Sequence, residues 1–530
     1  MARVEMAMGR SREARRRADS LLFAETLRGP GLLAAQFLDQ FPDLSVAELI
    51  AMARAHRARG ARATTESYLR RAVARSDTSA AARLALARHL AEGGRAAEAL
   101  RLVDSAGAIA GPRRAAQIVA ARIEVLALLG RYDEAAELAS AASRAHPRDT
   151  TLARAVLFLA DRDRARGEPA REWGHYRLLV RRFPAAPATL VARLRIGLGL
   201  YARGALDSAA LVFEDVSRRD STRRLGLSAW YWDARVRLEL GDTTATSQLM
   251  RLASQFPLNY YGVRALELLG RELRTTDSLL ARPQAGSFAP AVARERVRAL
   301  VRLGLREEVR SELLGWATDS SVGAHLLLAV AAVAAEAGFA REAIALGEAV
   351  RSRVGPHPQA LRAIFPYPHR TVIEAEAIEH CVDPLLFAAL LRQESRFEPH
   401  AVSPVGARGL SQVMPQTGQE LARAMGIRDF DPDLLFVPDY NLHFGTRYFH
   451  ERLVRDNFPL HAAIASYNAG PNRVRRWRAW PEFEDPDLFS ERIPIAETRE
   501  YVRIVYASYA WYRHLYSAAP PLVSSPVPLP

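Results

Sequence analysis

The sequence predicts an all-α protein, with a helical solenoid followed by a second helical domain over residues 366–517. Three observations support this prediction. From Arg17 to about Val354 the chain is nearly continuous in the helix-forming residues Ala, Leu, Arg and Glu. Glycines recur along this stretch mostly every 34 to 37 residues, which is the period of a helix–turn–helix repeat. Two proline-rich clusters, at 354–358 and 365–369, then interrupt the helical pattern.

Each repeat of the solenoid is predicted to turn at a glycine, where one helix ends and the chain reverses. The periodic glycines are Gly60, Gly94, Gly130, Gly167, Gly204, Gly241, Gly304 and Gly338. Prolines directly after His146, Phe183 and Phe256 end further helices, because proline cannot continue a helix. We therefore predict a tetratricopeptide-like superhelix over residues 34–360, preceded by a separate segment over 1–33. A single irregular helical bundle is the alternative.

One helix of the second domain carries an acidic residue on an apolar face. Asp383 is predicted to cap this helix, with Pro384 in its first turn, where the missing N–H costs nothing. Leu386, Leu390 and Glu394 follow at intervals of four residues and therefore share one helical face. The helix is predicted to run to about Glu394, so that the carboxyl group lies at its C-terminal end.

A glycine-bearing loop follows, because residues 403–415 read Ser-Pro-Val-Gly-Ala-Arg-Gly-Leu-Ser-Gln-Val-Met-Pro. Further on, residues 467–471 read Tyr-Asn-Ala-Gly-Pro, and residues 493–502 read Ile-Pro-Ile-Ala-Glu-Thr-Arg-Glu-Tyr-Val. With Glu394-Ser395, these motifs resemble, in the same order, those of the soluble lytic murein transglycosylases of the lysozyme-like superfamily. The resemblance implies a lysozyme-like catalytic domain after the solenoid. Residues 260–262, Tyr-Tyr-Gly, are similar to a weaker motif in the superhelix of that family.

The resemblance also implies the chemistry. Such enzymes cleave the β-1,4 bond between MurNAc and GlcNAc in peptidoglycan and leave 1,6-anhydromuramic ends, with one glutamate acting first as acid and then as base. The local sequence also suits Glu394 to this role, independently of the resemblance, because apolar surroundings and a helix C-terminus both raise the pKa of a carboxyl group. By residue-by-residue match, the resemblance implies that the substrate-binding residues are Ser403, Gln412, Met414, Tyr467, Asn468 and Tyr501. Among them, Tyr501 matches the tyrosine whose hydroxyl approaches the catalytic glutamate.

A second carboxylate would indicate hydrolysis instead, since most glycosidases use two. Glu497 remains open as such a group or as a member of an ion-pair network. Four aspartates in a turn-rich segment are predicted to cap turns and face solvent: Asp429, Asp431, Asp433 and Asp439. The alternatives to a transglycosylase are therefore a hydrolytic muramidase on the same fold, or a solenoid scaffold that binds glycan strands without cutting them.

Two single residues carry further expectations. Ser411 stands where the family has methionine, and we expect the smaller side chain to alter the shape of a sugar subsite. Cys381 is the one cysteine in the chain, which excludes an internal disulfide, and it is predicted to be a buried, small apolar residue. The 13 histidines show no short-range ligand spacing, so neither a metal nor another cofactor is predicted.

The formal charge of +14 does not predict a nucleic-acid partner, because the chain contains no lysine and its arginines are spread evenly. Peptidoglycan strands are the predicted partner, and other cell-wall proteins are candidate partners of the solenoid. No apolar run reaches the roughly 18 residues of a membrane span, and residues 1–33 show no signal-peptide pattern. The substrate nevertheless implies a periplasmic or cell-envelope location. The Pro/Ser-rich residues 518–530 are predicted to be disordered.

Overall fold

The all-α prediction is confirmed. The computed structural model describes residues 11–24, 34–35, 37–41, 43–57, 61–220, 225–275 and 290–517. Over these residues the chain is predominantly α-helical, and its β pairing consists of two isolated bridges, Val402 with Arg408 and Arg408 with Val413. The chain divides into two compact units, Met1–Ala229 and Trp230–Pro530.

In the first unit, each helix packs against its neighbours in the sequence. These helices are α1 (Ser11–Ala24), α2 (Val46–Arg57), α3 (Arg62–Ala74), α4 (Ala80–Glu92), α5 (Ala96–Ile109), α6 (Ala115–Leu128), α7 (Tyr132–Ala145), α8 (Thr150–Arg166), α9 (Pro169–Arg182), α10 (Pro187–Tyr201) and α11 (Leu206–Arg219). The core is correspondingly divided into successive clusters, one from Ala14 to Val125 and the next from Ala116 to Ala192. A core built from sequence neighbours is the packing expected of a solenoid.

The periodic glycines lie at the turns between helices. All seven that the structure describes have φ between 72° and 84°, in the left-handed region that other residues adopt only at a cost. They are Gly94, Gly130, Gly167, Gly204, Gly241, Gly304 and Gly338. Gly60 lies outside the described residues. The glycine period therefore marks the helix–turn–helix repeat that the sequence predicted.

The second unit begins within α12 (Gly226–Glu239). Its further helices are α13 (Thr244–Gln255), α14 (Tyr260–Leu268), α15 (Pro290–Arg302), α16 (Arg306–Thr318), α17 (Ala324–Glu336), α18 (Ala340–Val354), α19 (Pro358–Ile364), α20 (Arg370–Glu379), α21 (Pro384–Glu394), α22 (Pro415–Ala424), α23 (Pro438–His450), α24 (Leu460–Ala469), α25 (Pro471–Trp477), α26 (Pro486–Arg492) and α27 (Ala496–Tyr516). A 3₁₀ segment covers Pro432–Phe436, and a π-helical segment covers Glu451–Arg455.

A large core cluster holds this unit together around α21 and α27, which pack against each other. It includes residues from α14, α18 and α19, such as Val263, Ala340 and Leu361, as well as residues that follow the proline clusters. Helices on both sides of residues 360–366 therefore share one core. The boundary predicted there lies inside the second unit and stays a prediction.

The expectation for Cys381 was wrong, because this residue is exposed. Cys381 follows the end of α20 with φ of 51°, and this left-handed turn directs its side chain to solvent rather than into the core. Across the described residues, no helix is both long and apolar enough to cross a membrane. The predicted disordered tail at 518–530 lies outside the described residues, as do residues 1–10 and 25–33 of the predicted N-terminal segment.

Candidate active site

Glu394 is the last residue of α21, and the sequence around it explains its position. The helix begins as predicted, since the Asp383 carboxylate accepts hydrogen bonds from the backbone N–H groups of Leu385 at 2.8 Å and Leu386 at 3.4 Å. Leu386 and Leu390 are buried in the core. The Glu394 carboxyl group therefore leaves the C-terminal end of a helix that is fixed along its apolar face.

The backbone turns sharply after Glu394. Arg396 and Phe397 both have positive φ, 53° and 61°, a conformation that costs a non-glycine residue about 1–2 kcal/mol. Burial of the Phe397 ring and a hydrogen bond from the Ser395 hydroxyl to the Leu410 carbonyl at 2.7 Å hold this turn in place. The same bond attaches the glycine-bearing loop to the end of the helix. Strained residues held by their surroundings cluster at functional sites.

The loop over 403–413 is tightly tied by its own backbone. Arg408 and Val413 exchange two backbone hydrogen bonds at 3.0 and 3.1 Å, and the Ser403 hydroxyl accepts one from the Ala407 N–H at 2.9 Å. At Gly409, a Cβ atom would lie 2.0 Å from the Leu435 carbonyl oxygen, so only glycine fits. The loop is therefore specified by close backbone contacts.

Asn441 on α23 anchors this loop, a role that no sequence motif indicated. Its fully buried amide accepts a hydrogen bond from the Ser411 N–H at 2.6 Å and donates to the carbonyls of Arg408 at 2.9 Å and Leu435 at 2.8 Å. Asn441 follows Ser411 by 30 residues, and only the fold brings the two together.

Ser411 does not line a sugar subsite, contrary to expectation. Its side chain is 0% exposed, and its hydroxyl donates to the Asn441 side-chain oxygen at 2.7 Å. It also packs closely on α23, because a Cβ atom at Gly445 would lie 2.4 Å from the Ser411 Oγ. The Ser411 carbonyl accepts a hydrogen bond from the Tyr467 hydroxyl at 2.8 Å. Ser411 therefore faces inward and connects the loop to Tyr467.

Two further loop residues have different surroundings. Gln412 has φ of 51° and uses its amide N–H groups on the carbonyls of Ala401 at 3.1 Å and Gly409 at 2.8 Å. Met414, which directly precedes α22, is 39% exposed. Gln412 thus helps to hold the loop, whereas Met414 presents apolar surface to solvent.

Tyr501 on α27 contacts the acidic group directly. Its hydroxyl donates a hydrogen bond to Glu394 Oε1 at 2.5 Å. On the same helix, Thr498 donates to the Asn468 side-chain oxygen at 2.6 Å, which fixes the end of α24 near this group. Three of the four motifs therefore converge at this carboxyl group: the helix end with Glu394, the helix end at 467–471, and the segment at 493–502.

The surroundings of Glu394 raise its pKa from 4.5 to about 7. Withdrawal from water is the main cause, because it disfavours the charged carboxylate, and the negative charge of Glu497 acts in the same direction. The hydrogen bond from Tyr501 opposes both, since it stabilises the carboxylate. Burial and the charge of Glu394 raise the pKa of Tyr501 and of Tyr467 well above the usual 10, so both remain neutral hydroxyl donors.

The other acidic candidates differ in position. Glu497 lies exposed in the first turn of α27, close enough for its charge to act on Glu394. Asp431 caps the 3₁₀ segment by accepting from the Asp433 N–H at 2.8 Å, and Asp433 pairs with Arg408 at 2.6 Å. Asp431 therefore has the capping role that the sequence predicted. Among these acidic candidates, Glu497 is the one whose charge raises the pKa of Glu394.

The motif resemblance is confirmed by comparison with known proteins. Residues 371–489 match the family model described as the transglycosylase SLT domain. The chain is 29% identical over 346 residues to a soluble lytic murein transglycosylase of Salmonella typhimurium, and 27% identical over 345 residues to one of Escherichia coli K12. Each alignment covers 63% of this chain and 50% of the relative. The chain therefore spans about half the length of the curated relatives it matches.

Solved structures agree on the fold. An inactive mutant of the lytic transglycosylase Slt from Pseudomonas aeruginosa superimposes with a TM-score of 0.65 at 21% identity, covering 97% of this chain and 80% of that one. The 70 kDa soluble lytic transglycosylase of Escherichia coli gives 0.63 at 20% identity, covering 99% and 89%. At these identities, the likeness shows the fold of the chain.

Proposed function

We propose that this chain is a lytic transglycosylase that cleaves the MurNAc–GlcNAc β-1,4 bond of peptidoglycan and forms 1,6-anhydromuramic ends. The observation that carries the proposal is Glu394, a carboxyl group with a pKa of about 7 at the meeting point of three motifs. The match of residues 371–489 to the SLT domain model supports it, because that segment includes Glu394.

Glu394 acts first as a general acid. With a pKa of about 7, close to half of the Glu394 side chains carry a proton at neutral pH, whereas an ordinary glutamate would carry almost none. The proton passes to the glycosidic oxygen as the bond from that oxygen to the muramic C1 breaks, through an oxocarbenium-like transition state. The Tyr501 hydroxyl orients the carboxyl group and stabilises the carboxylate that remains.

The same residue then acts as a base. The Glu394 carboxylate takes the proton of the muramic 6-hydroxyl, and the 6-oxygen forms a new bond to C1. Glu394 is thereby protonated again, and the new bond forms the 1,6-anhydro bridge within the muramic residue. Because nucleophile and electrophile belong to one sugar, the attack gains the high effective concentration of an intramolecular reaction.

The remaining site residues are assigned to substrate binding. The Ser403 hydroxyl and the side-chain oxygen of Gln412 offer hydrogen-bonding groups on a loop that is tied by its own hydrogen bonds, and exposed Met414 offers apolar contact. Tyr467 and Asn468 are held by hydrogen bonds to the loop and to Thr498. We assign peptidoglycan strands as the substrate, the periplasm or cell envelope as the location, and other cell-wall proteins as candidate partners of the solenoid.

Glu497 favours a second candidate, a hydrolytic muramidase, because a carboxylate near the acid is what activation of water would require. One experiment separates the two. Purified sacculi are digested in water enriched in heavy oxygen, and the released muropeptides are weighed. The transglycosylase yields unlabelled products one water lighter than hydrolytic ones. Label at the muramic C1 in most products would instead establish hydrolysis.

Glu394→Gln is the matched variant, since the amide has the same shape but no proton to donate. General acid–base assistance contributes roughly 10²–10⁴-fold per step, so we expect a loss of at least about 100-fold with glycan binding retained. Retention of a tenth of the wild-type rate would remove Glu394 from the mechanism. If the wild-type chain bound sacculi and released nothing, it would be a glycan-binding scaffold.

A further inference from the structure

Three potential metal ligands meet between α20 and α23, away from the hydrogen bonds of the Glu394 site. Glu376 and His380 are four residues apart and lie at the C-terminal end of α20, on one face. His443 lies on α23, which packs against α20. One ligand atom from each of the three residues lies within 4.8 Å of the others.

The distances fit a first-row transition ion. Glu376 Oε2 lies 2.7 Å from His443 Nδ1 and 3.9 Å from His380 Nε2. Two ligand atoms on a tetrahedral zinc ion, each about 2.0 Å from the metal, lie about 3.3 Å apart. The observed distances fall on either side of that value, so small side-chain rotations suffice. Glu376 and His443 are partly exposed, which leaves them free to make these rotations.

His380 supplies an independent observation. Its side chain is only 10% exposed, and its Nε2 atom is buried without a hydrogen-bond partner in the part of the chain that the structure describes. A buried polar nitrogen left unpaired is costly, and native structures rarely keep one without a use. The His450 ring bonds to the His380 carbonyl oxygen through Nδ1 at 2.5 Å, which holds the end of α20 against α23.

We propose that Glu376, His380 and His443 bind a zinc ion that links α20 to α23. Two imidazoles and a carboxylate form a ligand set suited to Zn²⁺, with a fourth position left for water. A simple ion pair between Glu376 and His443 would account for their contact but leaves the His380 nitrogen unexplained. A zinc ion accounts for the positions of all three side chains. It replaces the proton in the hydrogen bond between Glu376 and His443, and it gives His380 Nε2 a partner.

The test uses the full chain, treated with a chelator and then titrated with Zn²⁺ alone in a calorimeter. We expect one equivalent to bind and the melting temperature to rise by a few degrees in excess Zn²⁺. His443→Ala and Glu376→Gln should each weaken binding about tenfold or more, since even outer-shell partners of a metal contribute that much. Both residues are partly exposed, so both variants should fold, which circular dichroism would verify.

Two controls complete the design. His400→Ala removes an exposed histidine elsewhere in the same unit and should leave zinc affinity unchanged. Cys381→Ser tests the neighbouring exposed thiol, and it too should bind one equivalent as tightly as the wild type. The proposal is overturned if the wild type binds no zinc, if His443→Ala and Glu376→Gln bind as tightly as wild type, or if Cys381→Ser abolishes binding.

Discussion

The pKa of Glu394 results from effects that oppose one another. Withdrawal from water and the charge of Glu497 raise its pKa, whereas the Tyr501 hydroxyl lowers it by stabilising the carboxylate. A residue that must give up a proton and then recover it needs both forms to be accessible near neutral pH. The balance at about 7 meets that need.

Tyr501→Phe should shift this balance upward. Hydrogen bonds to charged groups contribute about 1.5–3 kcal/mol and one pKa unit is about 1.4 kcal/mol, so the Glu394 pKa should rise by about one unit or more. Because the first step needs protonated Glu394, the rate falls as pH rises through that pKa, from about 7 in the wild type. The alkaline decline of the rate on sacculi should therefore move to higher pH in the variant.

Tyr467→Phe is the control for that profile. Its hydroxyl donates to the Ser411 carbonyl rather than to Glu394, so the alkaline decline should stay near that of the wild type. A decline that is unchanged or moves to lower pH in Tyr501→Phe would show that Tyr501 does not stabilise the carboxylate.

Sequence reasoning succeeded where short-range pattern decides the structure. The cap at Asp383, the apolar face of α21 and the left-handed glycines all depend on a few neighbouring residues. It failed where packing decides. The exposure of Cys381 depends on the direction of the turn that follows α20. The hydrogen bond between His443 and Glu376 forms only because α20 and α23 pack together. His380 and His443, two of the proposed zinc ligands, lie 63 residues apart, and no short-range spacing rule connects residues at that distance.

At the scale of elements, the loop over 403–413 is held to α23 by buried Asn441 and by the close contact of Ser411 with Gly445. The family motif has methionine at the position of Ser411, whereas here the Ser411 side chain is enclosed by the α23 backbone at Gly445 and by the amide of Asn441. Serine at this position is therefore a packing requirement of this chain, and the loop and α23 act as one element.

Ser411→Met should accordingly destabilise the protein rather than restore a family contact. Overpacking of a filled core costs about 1–3 kcal/mol, and loss of the hydroxyl removes hydrogen bonds to Asn441 worth about another 1 kcal/mol. We expect a total of about 2–4 kcal/mol in denaturant unfolding. Ser411→Ala, which removes the hydroxyl without adding volume, should cost only about 1 kcal/mol. Equal stability of Ser411→Met and the wild type would refute the packing argument.

At the scale of the molecule, Asp487 on α26 connects the proposed catalytic region to helices that precede it. Its carboxylate is 2% exposed and accepts hydrogen bonds from four side chains of α12 and α14. They are Tyr231 at 2.7 Å, Tyr260 at 2.6 Å, Arg235 at 2.7 Å and Arg264 at 2.9 Å. Burial alone would raise the pKa of Asp487, but Arg264 and Arg235, helped by Tyr260, hold it at about 2.

This network bears on the predicted boundary between residues 360 and 366. Tyr260 belongs to the Tyr-Tyr-Gly motif, whose resemblance to the family is weak. Its hydroxyl bonds to Asp487, and that of Tyr261 bonds to Glu491, also on α26. The motif therefore joins the two parts of the second unit, a role that no local pattern could have indicated.

The final prediction measures how strongly these parts depend on each other. A fragment over 366–517 should still unfold cooperatively, because it retains most of the core around α21 and α27. In a fragment over 230–517, Asp487→Ala should cost about 3–5 kcal/mol, since it leaves the largely buried guanidinium groups of Arg235 and Arg264 without their shared carboxylate. In the shorter fragment, where those partners are missing, the same substitution should change stability by no more than about 0.5 kcal/mol.

Denaturant unfolding of the two fragments, each with and without Asp487→Ala, gives both differences. Equal costs in the two fragments would show that Asp487 stabilises its own helix rather than the junction, and absence of a cooperative transition in 366–517 would move the boundary toward residue 230.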